Sequence, residues 1–290
     1  MMKFLKKSAV ALAVVALVGG ASVVPAVNAA EHLDHYTLMA LKPDPNVKGQ
    51  VGIFVYDGVN AMDALGPFQV FSTAGLSPRL ISKNGGRITT NSGIVIDDTL
   101  KFSDITSLGI LVVPGGALET AMQTMDPEVL QWIQSIDKTT RYTTSVCTGA
   151  WILGAAGLLR GLPATTNWYS ADEVLKKYRA IPRSSQRYVF AGRNAEKDHI
   201  VTSAGVTAGI DMALAIVKRL YRNDNFNGKD FTQAVMLDLQ YDPMPPVIGG
   251  TPRKTDPHVL GAMTEMYDMF FKSPMYPGMS DFLLNLKPLP

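Results

Sequence analysis

Short, continuous apolar runs alternate with amphipathic segments through most of the chain, and this alternation limits the folds that it can adopt. The clearest runs are Val51–Tyr56, Gly109–Val113 and Tyr142–Val146. Their length and apolar content are typical of strands buried on both faces of a parallel sheet. Helical periodicity follows in segments such as Pro127–Lys138 and Thr207–Tyr221. The pattern predicts an α/β fold with a single doubly wound, mostly parallel sheet and helices on both faces.

Weaker signals complete the predicted order of elements. After the first strand, we expect a helix that opens at Gly66 and runs through Phe71, because Pro67 suits a first helical turn. Further strands are predicted at Arg79–Ser82, Gly93–Ile96, Ala164–Thr166, Arg187–Phe190 and Ile200–Ser203, and further helices at Ala150–Leu159, Ser170–Tyr178 and Phe231–Leu239.

The first thirty residues have the pattern of an export signal. Lys3, Lys6 and Lys7 form a basic start, Ser8–Gly19 is apolar, and small residues near Ala30 suit cleavage. We therefore predict export to the periplasm or the medium, with no stable membrane insertion after cleavage. The alternative is a retained anchor, for which the apolar stretch is short.

Removal of residues 1–30 changes the charge of the chain. The whole sequence has 27 basic and 25 acidic side chains, and the three lysines of this segment leave 24 basic ones. The mature net charge of −1 gives no sign of a nucleic-acid surface. We expect a small-molecule substrate instead.

The remaining chain divides into three predicted segments. Residues 31–49 are polar and form a linker, residues 50–242 form the α/β domain, and residues 243–290 form a C-terminal extension. Within the extension we expect a helix at His258–Lys272. Its apolar stripe predicts a core or subunit contact, and it consists of Met263, Met266, Tyr267, Phe270 and Phe271.

The only cysteine, Cys147, follows a predicted strand and precedes a predicted helix. Such a junction exposes a side chain at the carboxyl edge of the sheet, as in the serine elbow of hydrolases. The helix N-terminus there is expected to favour the thiolate. We interpret Cys147 as a nucleophile; the alternative is a small buried apolar residue.

Asp63 lies in the loop predicted after the first strand, which projects over the same edge. A carboxyl that is partly desolvated beside a thiolate has a raised pKa and suits proton transfer near neutral pH. A helix-capping or turn role for this aspartate explains the position equally well.

Glycines and a threonine complete the candidate site. Gly115 and Gly116 end an apolar strand, so their amides are candidates for an oxyanion hole, although a plain tight turn gives the same sequence. The amides of Thr148 and Gly149 open the helix after the cysteine and are candidates for binding a developing anion.

The sequence shows no pattern for a cofactor or a structural metal. No glycine-rich nucleotide motif follows a strand. The four histidines are His32, His35, His199 and His258, and their spacing does not form a metal site. We expect no cofactor and no metal.

Several stretches together resemble the ThiJ/PfpI superfamily, within the class I glutamine amidotransferase-like fold. The stretches are Met62–Pro67, Val113–Gly116, Ser145–Gly149 with Leu153–Leu159, Ala164–Trp168, Gly205–Asp211 and Tyr241–Pro246. They cover about residues 50–255 in order. Within the superfamily the chain is most similar to bacterial isocyanide hydratases, which implies a flavodoxin-like sheet and a homodimer.

The resemblance also implies a reaction and roles for the candidate residues. Cys147 would attack the terminal carbon of an isocyanide, and Asp63 would be the acid and base. Thr148 would be a further site residue, and the amides near Gly116 would line the pocket. A thioimidate would then be hydrated to an N-substituted formamide without a cofactor, which makes the protein a hydro-lyase.

Two other functions remain open on the sequence. Asn167 stands where the family usually has histidine, and this departure also fits a periplasmic ligand-binding or stress-related module without hydratase activity. A thiol hydrolase or glyoxalase-like enzyme would need His199 or His258 to approach Cys147.

Overall fold

The computed structural model describes residues 50–169, 171–192, 198–221 and 228–272. It confirms the predicted α/β class: an eight-stranded, mostly parallel sheet with the order β3-β4-β2-β1-β5-β6-β10-β9, and a separate two-stranded pair, β7-β8. The strands are β1 (Val51–Phe54), β2 (Pro78–Ser82), β3 (Asn84–Thr89), β4 (Val95–Lys101), β5 (Ile110–Val113), β6 (Tyr142–Val146), β7 (Pro163–Ala164), β8 (Ile181–Pro182), β9 (Tyr188–Ala191) and β10 (Ile200–Ser203). The predicted signal and linker, and the tail from residue 273 onward, lie outside the described residues.

Parallel pairing in the middle of the sheet brings several loops to one edge. β1 lies between β2 and β5, β6 lies between β5 and β10, and all these pairs are parallel. β1, β5, β6 and β10 are buried at every residue, as apolar central strands should be. The loops after these four strands therefore share the carboxyl edge, where open α/β sheets bind ligands.

Eight α-helices among the described residues flank the sheet. They are α1 (Ala61–Thr73), α2 (Leu118–Gln123), α3 (Pro127–Asp137), α4 (Gly149–Ala155), α5 (Ala171–Lys177), α6 (Ala208–Leu220), α7 (Gly228–Asp238) and α8 (Pro257–Phe271). α1, α6 and α7 pack together as one group, and α4 packs with α2, α3 and α5 as another. The two groups provide the helical cover that the apolar strands require.

The first helix begins five residues earlier than predicted. Asn60 caps it, because its side-chain oxygen accepts from the amides of Met62 at 3.0 Å and Asp63 at 3.2 Å. Pro67 consequently lies inside α1 and not in its first turn. The prediction of a start at Gly66 was wrong, and Asp63 lies on a helix rather than in a loop.

A hairpin replaces the strand predicted at Gly93–Ile96. β3 and β4 pair antiparallel at one edge of the sheet, and the turn between them includes Gly93. Most side chains of both strands are exposed, so neither strand has the apolar run that identified the central ones. The short helix α2 was also missed, because it begins directly after the glycine-rich turn.

The predicted C-terminal helix is present and only part of its apolar stripe is buried. α8 is capped by Asp256, which accepts from the amide of His258 at 2.9 Å. Phe271 is buried against Trp151, with 5.9 Å between ring centroids, whereas Phe270 is 52% exposed. Of the helices described, none combines the length and hydropathy needed to cross a membrane.

Candidate active site

Cys147 occupies the sharp turn between β6 and α4. Its φ is +58°, in the left-handed region that non-glycine residues rarely adopt. Its amide donates to the carbonyls of Ser203 at 3.2 Å and Ala204 at 3.1 Å at the end of β10. This backbone geometry is typical of a nucleophile elbow, and the residue is 7% exposed.

Asp63 comes to the same edge from the first turn of α1. Its side chain is fully buried, and Oδ2 accepts a hydrogen bond from the amide of Gly115 at 3.1 Å. Oδ1 makes no hydrogen bond of good geometry among the described residues, although the Cys147 thiol and the Val206 amide are donors near the carboxyl. A buried carboxyl with one oxygen unsatisfied is unfavourable in a resting structure, and it suits a group that binds a proton or a substrate.

The thiol of Cys147 and the carboxyl of Asp63 are close enough to shift each other's pKa. Burial raises the pKa of Asp63 to about 7, and hydrogen bonding from Gly115, Cys147 and Val206 opposes that rise. Burial also raises the pKa of Cys147 to about 12, and the negative charge of Asp63 adds to the rise. Near neutral pH the sulfur therefore keeps its proton while the carboxyl titrates.

This protonation state differs from the expected thiolate. Hydrogen bonding from the Asn167 side chain and from the amides of Thr148 and Val206 lowers the pKa of Cys147, as an anion site should. Burial and the neighbouring carboxyl outweigh these donors. Desolvation penalises the charged form, and two adjacent negative charges are unfavourable. The helix N-terminus alone does not ionise the thiol.

Asn167 is a site residue that the sequence identified only as a departure from the family. Its Nδ2 donates to Cys147 Sγ at 3.4 Å, and its Oδ1 accepts from the amide of Tyr169 at 2.9 Å. The neighbouring Thr166 hydroxyl donates to the carbonyl of Cys147 at 2.8 Å. The segment after β7 thus holds both the backbone and the sulfur of the cysteine.

Thr148 holds the glycine-rich turn. Its Oγ1 accepts from the amide of Gly116 at 3.1 Å and donates to the carbonyl of Gly116 at 2.9 Å. It also lies 3.1 Å from Thr120 Oγ1, which lies 2.9 Å from the hydroxyl of Tyr56. The side chain therefore has a positioning role, and the amide of Thr148 is the part that reaches the sulfur.

Close contacts leave no room for a side chain at Gly115 or Gly149. A Cβ at Gly115 would lie 2.4 Å from Thr148 Oγ1, and a Cβ at Gly149 would lie 1.9 Å from the carbonyl oxygen of Val113. The amides of Gly115 and Gly116 are already bonded to Asp63 and Thr148. These two amides therefore hold the side chains of Asp63 and Thr148, whereas the sequence predicts that they form an oxyanion hole.

Val206 is a second residue that the sequence did not identify. It follows β10, has φ +42°, and its amide lowers the pKa of both Asp63 and Cys147. A left-handed conformation at a β-branched residue is strained, and such strain is concentrated at functional sites. The Val206 amide is therefore a donor that acts on both candidate side chains.

The histidines that a Cys–His dyad would need are placed elsewhere. His199 precedes β10, at the opposite end of the sheet from Cys147, and its Nε2 lies 2.9 Å from Asp137 Oδ1. His258 is exposed in the first turn of α8. In the ranges that the structure describes, no cluster of His, Cys, Asp and Glu is suited to a metal ion.

The family follows from comparison with known proteins. The model of the DJ-1/PfpI family matches residues 49–219, so the chain belongs to the DJ-1/PfpI family. It is 36% identical over 204 residues to the isonitrile hydratase of Pseudomonas putida, an alignment that covers 70% of this chain and 83% of that protein.

Solved structures agree with this assignment. A ThiJ/PfpI family protein from Pseudomonas syringae superimposes with a TM-score of 0.70 at 31% identity, covering 84% of this chain and 98% of that one. Schizosaccharomyces pombe DJ-1 superimposes with a TM-score of 0.55 at 18% identity, covering 68% of this chain and 100% of that one. The second similarity concerns the fold alone.

Proposed function

We propose that this protein is a hydro-lyase that converts an isocyanide to an N-substituted formamide through a thioimidate on Cys147. The observation that carries the proposal is the burial of one thiol and one carboxyl side by side at the carboxyl edge of the sheet. The relative at 36% identity, named isonitrile hydratase, supports the choice of reaction.

The first half of the reaction uses the shared proton of the pair. The carboxylate of Asp63 accepts the proton of Cys147 as the sulfur attacks the terminal carbon of the isocyanide. Asp63 then gives this proton to that carbon, so an S–C bond and a C–H bond form and the S–H bond breaks. A carboxyl with a pKa of about 7 suits both transfers, because acid and base forms are both populated near neutral pH.

The second half consumes water and releases the product. Asp63 is a carboxylate again and takes a proton from water, whose oxygen attacks the thioimidate carbon, and Asp63 passes this proton to the nitrogen. Collapse of this tetrahedral adduct breaks the S–C bond and forms the formamide C=O. The sulfur recovers a proton, and the sum is R–N≡C plus water giving R–NH–CHO.

The charge of the site favours a neutral substrate. No cation is among the groups that shift the pKa of either Asp63 or Cys147. An anionic substrate would meet the uncompensated charge of the carboxylate in a buried site. An isocyanide carries no net charge and few polar atoms, so it avoids this penalty.

The test is turnover of a simple alkyl or aryl isocyanide by the purified mature protein, with formamide measured by chromatography. We expect activity that Cys147→Ala abolishes and that Asp63→Asn lowers about 10²- to 10⁴-fold. Wild-type protein that forms no more formamide than the Cys147→Ala variant would reject the hydratase.

A ligand-binding module without turnover is the second candidate. The raised pKa and burial of Cys147 favour it, since a resting thiol of this kind is a weak nucleophile. Binding of an isocyanide to the Cys147→Ala variant, together with a wild type that binds and does not turn over, would support this candidate.

Export remains part of the proposal. Its support is the basic, apolar and small-residue pattern of residues 1–30. Fractionation of a bacterial host that expresses the full chain should give periplasmic or secreted protein whose N-terminus lies close to residue 31. A protein found only in the cytoplasm with its N-terminus intact contradicts export.

A homodimer is also proposed. Its support is the exposed apolar side chains on α8, where Met269 is 73% exposed and Phe270 is 52% exposed. Light scattering should give twice the mass of the mature chain. A monomer at micromolar concentration contradicts the dimer.

A further inference from the structure

Tyr267 of α8 lies against the segment that holds the cysteine. Its ring centroid is 5.2 Å from that of Trp168 and 4.9 Å from that of Tyr169. Asn167, immediately before these two residues, donates to Cys147 Sγ at 3.4 Å. Three consecutive residues thus join the sulfur to a tyrosine that is 120 positions away in the sequence.

The electrostatics of Tyr267 place it beside the reacting groups. Burial raises its pKa, the negative charges of Cys147 and Asp63 raise it further, and a hydrogen bond with Asn167 opposes the rise. The phenol therefore stays protonated, and its ring is a neutral aromatic surface. The side chain is half-buried, so part of the ring remains uncovered.

We propose that Tyr267 is a specificity-determining residue, whose ring forms with Trp168 an aromatic wall that favours substrates with a flat aryl group on the isocyanide nitrogen. The reaction assumed for this substrate rests on the proposed hydratase function. The wall itself acts on any reagent that reaches the sulfur.

Neighbouring contacts hold the wall in place. The hydroxyl of Tyr169 donates to Asp268, and the ring of Tyr169 stacks on Phe271 at 5.5 Å between centroids. Asp268 also pairs with Lys272 at 2.9 Å. These contacts fix Tyr169 against one face of the last turn of α8, and Tyr267 packs on this ring at 4.9 Å between centroids.

An aromatic wall discriminates by geometry as well as by area. Aryl rings stack on it in offset or edge-to-face arrangements, which gain more than an aliphatic ring of similar size. Such a preference corresponds to about a three- to tenfold difference in rate or affinity. This is the size of effect that the experiments must resolve.

The first experiment measures alkylation of Cys147 and needs no turnover. Full-length mature wild type, Tyr267→Phe and Tyr267→Leu react with N-phenylmaleimide and N-cyclohexylmaleimide, and mass spectrometry gives each rate. We expect the phenyl-to-cyclohexyl ratio to be kept by Tyr267→Phe and to fall about three- to tenfold in Tyr267→Leu. Glu265→Gln, an exposed polar change on the same helix, is the matched control and should keep the wild-type ratio.

Two results of this experiment overturn the proposal. One is an equal ratio in wild type and Tyr267→Leu. The other is an equal acceleration of both reagents in Tyr267→Leu, because the ring then only blocks access to the sulfur.

The second experiment uses phenyl and cyclohexyl isocyanide as substrates for the same variants. We expect Tyr267→Leu to lose about three- to tenfold in the ratio of kcat/KM, mainly through KM. An unchanged ratio would contradict the aromatic-wall proposal and would leave the proposed hydratase function intact. If neither the wild type nor any variant turns over either compound, but the maleimide preference still depends on Tyr267, the hydratase function is rejected and the aromatic-wall proposal is supported.

Discussion

At the scale of single residues, the pair of Asp63 and Cys147 explains why the site is both reactive and buried. Among the described residues the carboxyl makes no hydrogen bond of good geometry at Oδ1, and the thiol lies beside it with its proton retained. Each group is unfavourable alone in an apolar surrounding. In the proposed reaction they transfer a proton between them, since attack of the sulfur on carbon avoids the cost of a buried thiolate charge.

Asp63→Asn should change how stability depends on pH. The pKa of Asp63 rises from 3.8 to about 7 on folding, so the folded state holds a proton that the unfolded state has released. The free energy of unfolding of the wild type therefore falls between about pH 4 and pH 7, by up to roughly 4 kcal/mol. The asparagine variant lacks this ionisation, and its advantage over the wild type should grow across that window.

Urea unfolding at pH 4.5 and pH 8 measures this difference. Asp238→Asn is the control, because Asp238 is exposed at the end of α7. Identical pH dependence in the wild type and Asp63→Asn would contradict the raised pKa.

At the scale of elements, the β6–α4 junction brings α4 close to β5. Gly149→Ala would drive a methyl group into the carbonyl of Val113, at 1.9 Å. We expect loss of about 3 kcal/mol or more in the free energy of unfolding, because backbone atoms on both sides must shift. Denaturant unfolding checks the prediction.

Gly261→Ala in α8 is the matched glycine control, since its new methyl group meets no atom within 4 Å. Alanine in an exposed helix should be neutral or stabilise by up to about 1 kcal/mol. Equal effects of the two alanine substitutions would contradict the close contact at the junction.

The elements that the sequence predicts best are those whose residues are buried on every side. β1 and β5 have apolar runs, β6 and β10 are rich in β-branched residues, and the parallel pairing of these strands follows from the alternation with helices. The approach of Asp63 to Cys147 follows from the same rule, because both come after central strands. The predicted start of α1 was wrong because Pro67 resembles a first-turn residue. The helix begins instead directly after Asn60, whose side chain caps it.

Other parts of the site have no local signal in the sequence. The strained backbone of Val206 depends on packing after β10, and Tyr267 comes from a helix beyond the matched family region. The sequence shows Asn167 as a departure from the family pattern, but only the structure shows that its side chain contacts Cys147 Sγ. Burial is also what raises the pKa of Cys147, and no nearby residue type predicts that extent of desolvation.

At the scale of the whole molecule, α8 joins the C-terminal segment to the α/β domain through aromatic rings. Phe271 packs on Trp151 and Tyr169, with 5.9 Å and 5.5 Å between ring centroids. The segment predicted as an extension is thereby part of the same apolar core as α4. Stability of the helix and shape of the reaction site are linked through this contact.

Phe271→Ala should lower the free energy of unfolding by about 3–5 kcal/mol, because a buried ring is removed. Leu237→Ala is the control, because Leu237 on α7 is 78% exposed, and this change should cost less than about 1 kcal/mol. Thermal or denaturant unfolding of both variants measures the contrast. Similar losses at the two positions would contradict docking through Phe271.

The proposed export would place Cys147 outside a reducing cytoplasm, where its high pKa has a consequence. Peroxides and disulfides react with thiolates, and a sulfur held neutral and covered offers them little. Only a molecule that enters beside Asp63 lets the proton leave. In the proposed function the single cysteine therefore resists common oxidants at rest and reacts only when its substrate enters, which would lengthen the working life of the protein.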